Sequence, residues 1–283
     1  MSQSPSPPGW LPKASSPQQH PHMSRPFANA YEQTATRIMG PIACVALQRL
    51  GALGRETQIL DIGAGTGAFS VPAAHMGTAV TAIDIAPGMV EVLTERLLPF
   101  PRAQALVMDG QALDFADHSF DATVSIMGVS IFQDWRQGLA EMVRVLRPGK
   151  TAALATWRFP PGGGPFQIMA EALRATFPGQ PPPAAPAGFM ELAEPDAMRA
   201  ALTAAGLVDV WVEEIEAIWE GPAGPAYLEE LQALHPFMGP YGLLEPDARV
   251  RLDAAILQAV DRKAVDGQVA LRSVVTLGAG RRP

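Results

Sequence analysis

The sequence predicts a doubly wound α/β fold, a mostly parallel sheet with helices on both faces and helical cap insertions. Three observations carry that expectation. Short apolar runs alternate with helical patterns between residues 58 and 157, and parallel strands, buried on both faces, read as continuous apolar runs rather than alternating ones. The first run ends in a glycine-rich turn, GAGTG at 63–67. Aspartates then stand at the ends of three successive runs, where ligands of open α/β sheets bind. A chain of 283 residues, 48% of them hydrophobic, can bury such a core as one domain with embellishments.

The elements follow in order. Residues 1–25, rich in Ser, Pro, Gln and His at their start, read as a disordered tail, without the basic start and apolar stretch of a secretory signal. From Phe27 to Leu53 the residues Ile38, Ile42, Val45 and Leu50 recur at near-helical spacing, predicting one or two helices. Strands are expected at Gln58–Ile62, Ala79–Asp84, Ala105–Met108, Asp121–Met127 and Thr151–Trp157. A helix starts near Ala68, and another is capped by Asp134, buries Leu139, Met142, Val143 and Leu146, and stops at Pro148-Gly149. Residues 26–158 thus form the core. Residues 159–190 read as an insertion near the substrate, with Pro/Gly-rich connections around a helix carrying Phe166, Met169, Leu173 and Phe177. Residues 191–220 supply a further core helix and a strand at Val208–Ile218, residues 221–266 a helical cap, and residues 267–283 the last core strand, at Val269–Leu277, with the chain's end.

The glycine turn alone is ambiguous, since Gly63, Gly65 and Ala68 also satisfy the dinucleotide fingerprint. Asp61 precedes the first glycine by two residues, and a carboxylate there suits a ligand with an ammonium, such as S-adenosylmethionine (SAM), better than a pyrophosphate. Asp84 closes the second strand and can accept hydrogen bonds from both hydroxyls of a ribose, of SAM or of a nicotinamide cofactor. Asp109, after the third strand, can accept a bond from an adenine amino group. A nicotinamide-dependent oxidoreductase would share the glycines and Asp84, but leaves Asp61 and Asp109 without a role.

Between Ile59 and Trp157 the chain resembles the class I SAM-dependent methyltransferases, in particular the branch with quinone-biosynthesis C-methyltransferases and many natural-product enzymes. The resemblance is carried by Leu60–Gly67 (LDIGAGTG), Asp84 with Pro87-Gly88-Met89, Asp109-Gly110, Phe120-Asp121 and Glu141–Gly149 (EMVRVLRPG), about a third of the chain. It implies a Rossmann-like, seven-stranded sheet whose last strand is antiparallel, and SAM as cofactor. By resemblance, Asp61, Gly63 and Gly65 hold the methionine end, Asp84 the ribose, Ile85 and Met89 the adenine surroundings, and Asp109, Gly110 and Gln111 the adenine edge. Met127 then faces the sulfonium, with Phe132 beyond it, and Tyr31 lies over the methionine carboxylate.

The expected activity is direct in-line methyl transfer to a small, apolar or aromatic acceptor, suggested by Phe166, Met169, Phe177, Phe189, Phe237, Met238, Leu243 and Leu244 in the cap segments. The catalytic candidates are His235, as a general base, and Tyr241, as a pocket wall beside Trp157. The rival is a SAM-binding protein of the same fold that is regulatory or catalyses a cyclisation or rearrangement. A net charge of −7 without a basic stripe argues against nucleic acid or an anionic membrane as partner. No apolar run of about eighteen residues is present, so no bilayer span is expected. The single Cys44 leaves no internal disulfide and no multi-cysteine zinc site, which fits a cytoplasmic location with no metal. The oligomeric state stays open.

Overall fold

The computed structural model describes residues 21–159, 162–180 and 185–283. Residues 1–20 of the expected tail, and parts of both Pro/Gly-rich connections, lie outside the described residues. The first half of the chain runs α1 (Arg25–Arg49), β1 (Gln58–Ile62), α2 (Ser70–His75), β2 (Ala79–Asp84), α3 (Pro87–Leu97), β3 (Ala103–Val107), β4 (Phe120–Ile126), α4 (Trp135–Arg144) and β5 (Leu146–Trp157). The second half runs α5 (Pro165–Thr176), α6 (Ala187–Glu191), α7 (Pro195–Ala204), β6 (Val208–Pro222), α8 (Pro225–Leu231), α9 (Pro246–Asp261), β7 (Ala264–Val265) and β8 (Gln268–Arg281).

The sheet order is β3-β2-β1-β4-β5-β8-β6. β8 is antiparallel to both β5 and β6, and the pairs among β1 to β5 are parallel. This is the expected Rossmann-like sheet, with one addition: the two-residue β7 pairs with the start of β8 as an eighth strand. The order reverses at β1/β4, and the crevice outside the strand ends at that point is where such sheets bind ligands.

Each face of the sheet carries its own core. On one face, Ile59, Val80, Ala122 and Val124 pack with α1, α2, α3 and the cap; on the other, Leu60, Ile62, Ile83 and Leu154 pack with α4 and α7. Successive β1 residues serve opposite faces, as the period of two requires.

Three expectations need correction. Residues 21–25 are not tail: Pro21–Met23 form a 3-10 turn, and Ser24 caps α1 by accepting the Phe27 N–H at 3.4 Å. Pro148-Gly149 does not end a helix. α4 stops at Arg144, Leu146 belongs to β5, and residues 147–150 bulge out between the pairs Phe120↔Leu146 and Ala122↔Thr151. Pro and Gly inside strands mark such bulges, and this one brings Arg147 and Lys150 to Asp121 at 2.9 and 3.3 Å. The strands β6 and β8 both outrun their expected ends, pairing as far as Pro222↔Gln268.

α1 packs on one face of the sheet, and its N-terminal half, which lines the cavity, is clamped by α3 and β6. Arg25 pairs with Glu95 of α3 at 2.7 Å, and Arg96 of α3 bridges Glu32 (2.6 Å) to the Thr66 carbonyl in the glycine turn (2.5 Å). From β6, the buried Trp219 indole N–H donates to the Thr34 carbonyl at 3.1 Å.

Candidate functional site

The glycine turn is held by close backbone approach. A Cβ on Gly63 would stand 2.7 Å from Gly128 Cα, so the chain leaving β1 and the chain leaving β4 touch without side chains between them. Gly63 also has φ +69°, where a Cβ is strained. Ser125 locks the pair, donating to the Ile62 carbonyl and accepting the Val129 N–H, each at 2.8 Å. Next to it Met127 has φ +64°, a conformation that costs a non-glycine residue energy and that structures hold chiefly where the surroundings over-determine it, as at ligand sites.

The three aspartates part company here. Asp84, at the end of β2, accepts the Gly65 N–H on Oδ2 and the Ala86 N–H on Oδ1, both at 2.9 Å. Burial raises its pKa, outweighing those backbone bonds, and it makes no salt bridge among the described residues. Asp109 accepts the Gln111 N–H at 2.9 Å, and the Gln111 side-chain carbonyl takes the Asp134 N–H at 2.7 Å, tying this turn to the start of α4. Asp61 does not reach the cavity. It is 1% exposed and accepts the Ser70 hydroxyl at 2.6 Å, bracing the end of β1 against the start of α2. Desolvation pushes its pKa up to about 7, with the Ser70 bond opposing.

Above these strand ends lies a cavity of about 610 Å³. Of the residues the sequence reading assigns to a cofactor, Tyr31, Gly63, Gly65, Asp84, Ile85, Met89, Asp109, Gly110, Gln111, Met127 and Phe132 all line it, and Asp61 alone does not. Tyr31 stands over the turn: a Cβ on Gly65 would lie 3.9 Å from its ring. Burial and the nearby Asp84 charge hold the Tyr31 hydroxyl protonated.

The catalytic candidates lie elsewhere. His235 is 2% exposed, packs its ring on Tyr241 (5.2 Å) and Tyr227 (6.2 Å), and does not line the cavity. Desolvation lowers its pKa to about 4, so it is a neutral packing residue. Tyr241 donates to Asp253 at 2.8 Å inside the cap and is also off the cavity. Of the expected apolar cap residues, Phe166 and Phe189 line it, as does the expected pocket wall Trp157 at the end of β5, whereas from residues 221–266 only Leu234 does.

Sequence reasoning missed the face of α1 that forms a wall, Phe27, Thr34, Ile38 and Met39. Their spacing is that of one helix face, the one available signal, but it does not distinguish a wall from a core contact.

Residues 59–149 match the family model described as a methyltransferase domain. A demethylmenaquinone methyltransferase of Clavibacter sepedonicus is 35% identical over 137 residues, 47% of this chain and 56% of that relative. The chain spans about half the length of the curated relatives it matches. Among solved structures, Haemonchus contortus phosphoethanolamine N-methyltransferase 2, in complex with phosphomonomethylethanolamine and S-adenosylhomocysteine, superposes with TM-score 0.56 at 19% identity, over 93% of this chain and 58% of that one. The [4+2]-cyclase SpnF superposes with TM-score 0.54 at 18% identity, over 86% of this chain and 80% of that one. Residues 59–149 are thus similar in sequence to methyltransferase domains, and the chain shares its fold with these structures.

Proposed function

We propose that this chain is a SAM-dependent methyltransferase acting on a small, apolar or aromatic metabolite. One observation carries the reading: a single cavity joins a wall of strand-end glycines and carboxylates to walls of apolar side chains from α1 and from Trp157, Phe166 and Phe189. The polar wall fits SAM by its chemistry. Asp84 is a largely buried carboxylate without a salt bridge among the described residues, left with acceptor capacity for ribose hydroxyls. In this reading Asp109, Gly110 and Gln111 hold the adenine edge, Ile85 and Met89 its faces, Gly63, Gly65 and Tyr31 the methionine end, and Met127 with Phe132 the sulfonium side. Asp61 acts through Ser70 as a brace for the turn.

When bound, SAM supplies a methyl group on a sulfonium, which passes to the acceptor's nucleophile. The chain's task is to align the two and keep water out, and the apolar walls suit both. No base is assigned to the transfer, since His235 and Tyr241 are both spent on packing the cap.

The similarity to the SpnF cyclase structure favours one second reading, a SAM-bound protein of this fold that catalyses a cyclisation or rearrangement. Incubation with methyl-labelled SAM and a panel of neutral aromatic and aliphatic acceptors separates the two. Label in an acceptor with matching release of S-adenosylhomocysteine supports methyl transfer; SAM binding with no transfer to any acceptor supports the second reading.

A further inference from the structure

The cavity's apolar part carries an unusual contact. Residues 162–164 are three consecutive glycines in the connection between β5 and α5, and Gly162 and Gly163 line the cavity together with Trp157 and Ile38. The Gly163 backbone lies against the Trp157 indole: a Cβ there would stand 2.3 Å from Cη2 and 2.4 Å from Cζ3, and 2.8 Å from Ile38 Cδ1. Side chains do not approach that closely, so any residue larger than glycine must move the indole, the isoleucine or the loop. The loop is not free to retreat, because the next glycine's N–H donates to the Ser273 hydroxyl of β8 at 3.2 Å, and that hydroxyl also takes Gln167 of α5 at 3.0 Å. Trp157 is itself 6% exposed and pinned in β5.

The charge inventory points the same way. No Lys or Arg lines the cavity among the described residues, and the only side chains there able to carry charge are His22, Tyr31, Asp84 and Asp109. Both aspartates belong to the strand-end wall. An acceptor with a carboxylate or phosphate would find no fixed cation, and one with an ammonium would find no carboxylate beyond those at the proposed cofactor wall. Burying a charge without a partner is strongly unfavourable.

We infer that Gly163, by setting where Trp157 and Ile38 stand, is the specificity-determining position of the acceptor chamber, and that the chamber takes uncharged, flat apolar molecules. This rests on the methyltransferase reading above. The glycine contact sets the indole as one wall of the chamber, and flat aromatic rings pack against an indole edge-on or offset-stacked.

The test uses the full chain saturated with S-adenosylhomocysteine and three probes: 2-naphthol, its charged counterpart 2-naphthoate, and the flexible 1-decanol. The expected result is 2-naphthol binding at least tenfold tighter than either other probe, and at least tenfold weakening of 2-naphthol in Gly163→Ala with S-adenosylhomocysteine affinity held within twofold. Phe166→Ala, which removes a chamber wall without creating a clash, is expected to weaken 2-naphthol likewise and serves if Gly163→Ala does not fold. Equal binding of 2-naphthoate or 1-decanol, or unchanged 2-naphthol binding in the folded variants, overturns the inference. Absence of S-adenosylhomocysteine binding to the wild type sinks the underlying reading instead.

Discussion

The strand-end crevice and the cap are built by different physics. In the crevice, function follows from backbone: turns without side chains, N–H groups paired to carboxylates, and a serine hydroxyl joining the ends of β1 and β4. In the cap, polar and ionisable groups such as His235, Tyr227 and Tyr241 are consumed by packing and internal bonds, and the Tyr227 hydroxyl has no hydrogen-bond partner among the described residues. The same residue types thus mean different things in the two regions. Asp84 at the end of β2 faces the cavity, while His235 in the cap is turned away from it.

The largest effect expected to sharpen that contrast is one of pH. Asp61 in the core has its pKa raised from 3.8 to about 7, and His235 in the cap has its pKa lowered from 6.5 to about 4. For Asp61 the folded protein holds the extra proton between those values, so its contribution to stability falls as pH rises from about 4 to about 7. For His235 the unfolded chain holds the extra proton, so its contribution is present at neutral pH and is lost as pH falls from about 6.5 to about 4. At about 1.36 kcal/mol per pKa unit these are worth on the order of 4 kcal/mol for Asp61 and about 3 kcal/mol for His235, with opposite signs. Urea unfolding across this range is expected to show Asp61→Asn gaining on the wild type as pH rises, and His235→Gln gaining on it as pH falls. Parallel curves for all three proteins would contradict the assigned burial of both groups.

A smaller effect is expected from Gly63→Ala. The added Cβ meets Gly128 Cα at 2.7 Å at a positive φ, and overpacking of this kind costs about 1–3 kcal/mol. Because Gly63 lines the cavity, thermal unfolding and S-adenosylhomocysteine affinity are expected to fall together. The smallest is Tyr241→Phe, which removes the bond to Asp253 and is expected to cost about 1 kcal/mol while leaving S-adenosylhomocysteine affinity unchanged. A loss of affinity in Tyr241→Phe would show that the cap takes part in cofactor binding.

The division also explains what was legible in the sequence. β1 and β2 lie where the apolar runs place them, and Asp134 caps α4 by accepting the Gln137 N–H at 3.0 Å as its residue type foretold. Signals of this kind are local. The bulge at Pro148-Gly149 was misread because the dipeptide carries the same local meaning at a helix end and in a bulge. Only its pairing with β4 tells them apart. Asp61 stands at the right place in the chain for a ligand contact, but β-strand alternation turns consecutive side chains to opposite faces, and Ser70, nine residues on, claims its carboxylate. The roles of α1 and of Gly163 depend on contacts with α3, β6 and Ile38 distant in the chain, which no local pattern encodes.

The central claim is that the crevice binds SAM through Asp84. Calorimetric titration of the wild type and Asp84→Ala with SAM and with S-adenosylhomocysteine tests it most directly. Losing charge-assisted bonds worth roughly 1.5–3 kcal/mol each corresponds to weakening by one to two orders of magnitude or more. Micromolar binding of both ligands to the wild type is expected, with loss of that binding in the folded variant. Absence of binding to the wild type, or equal binding to both proteins, would contradict it.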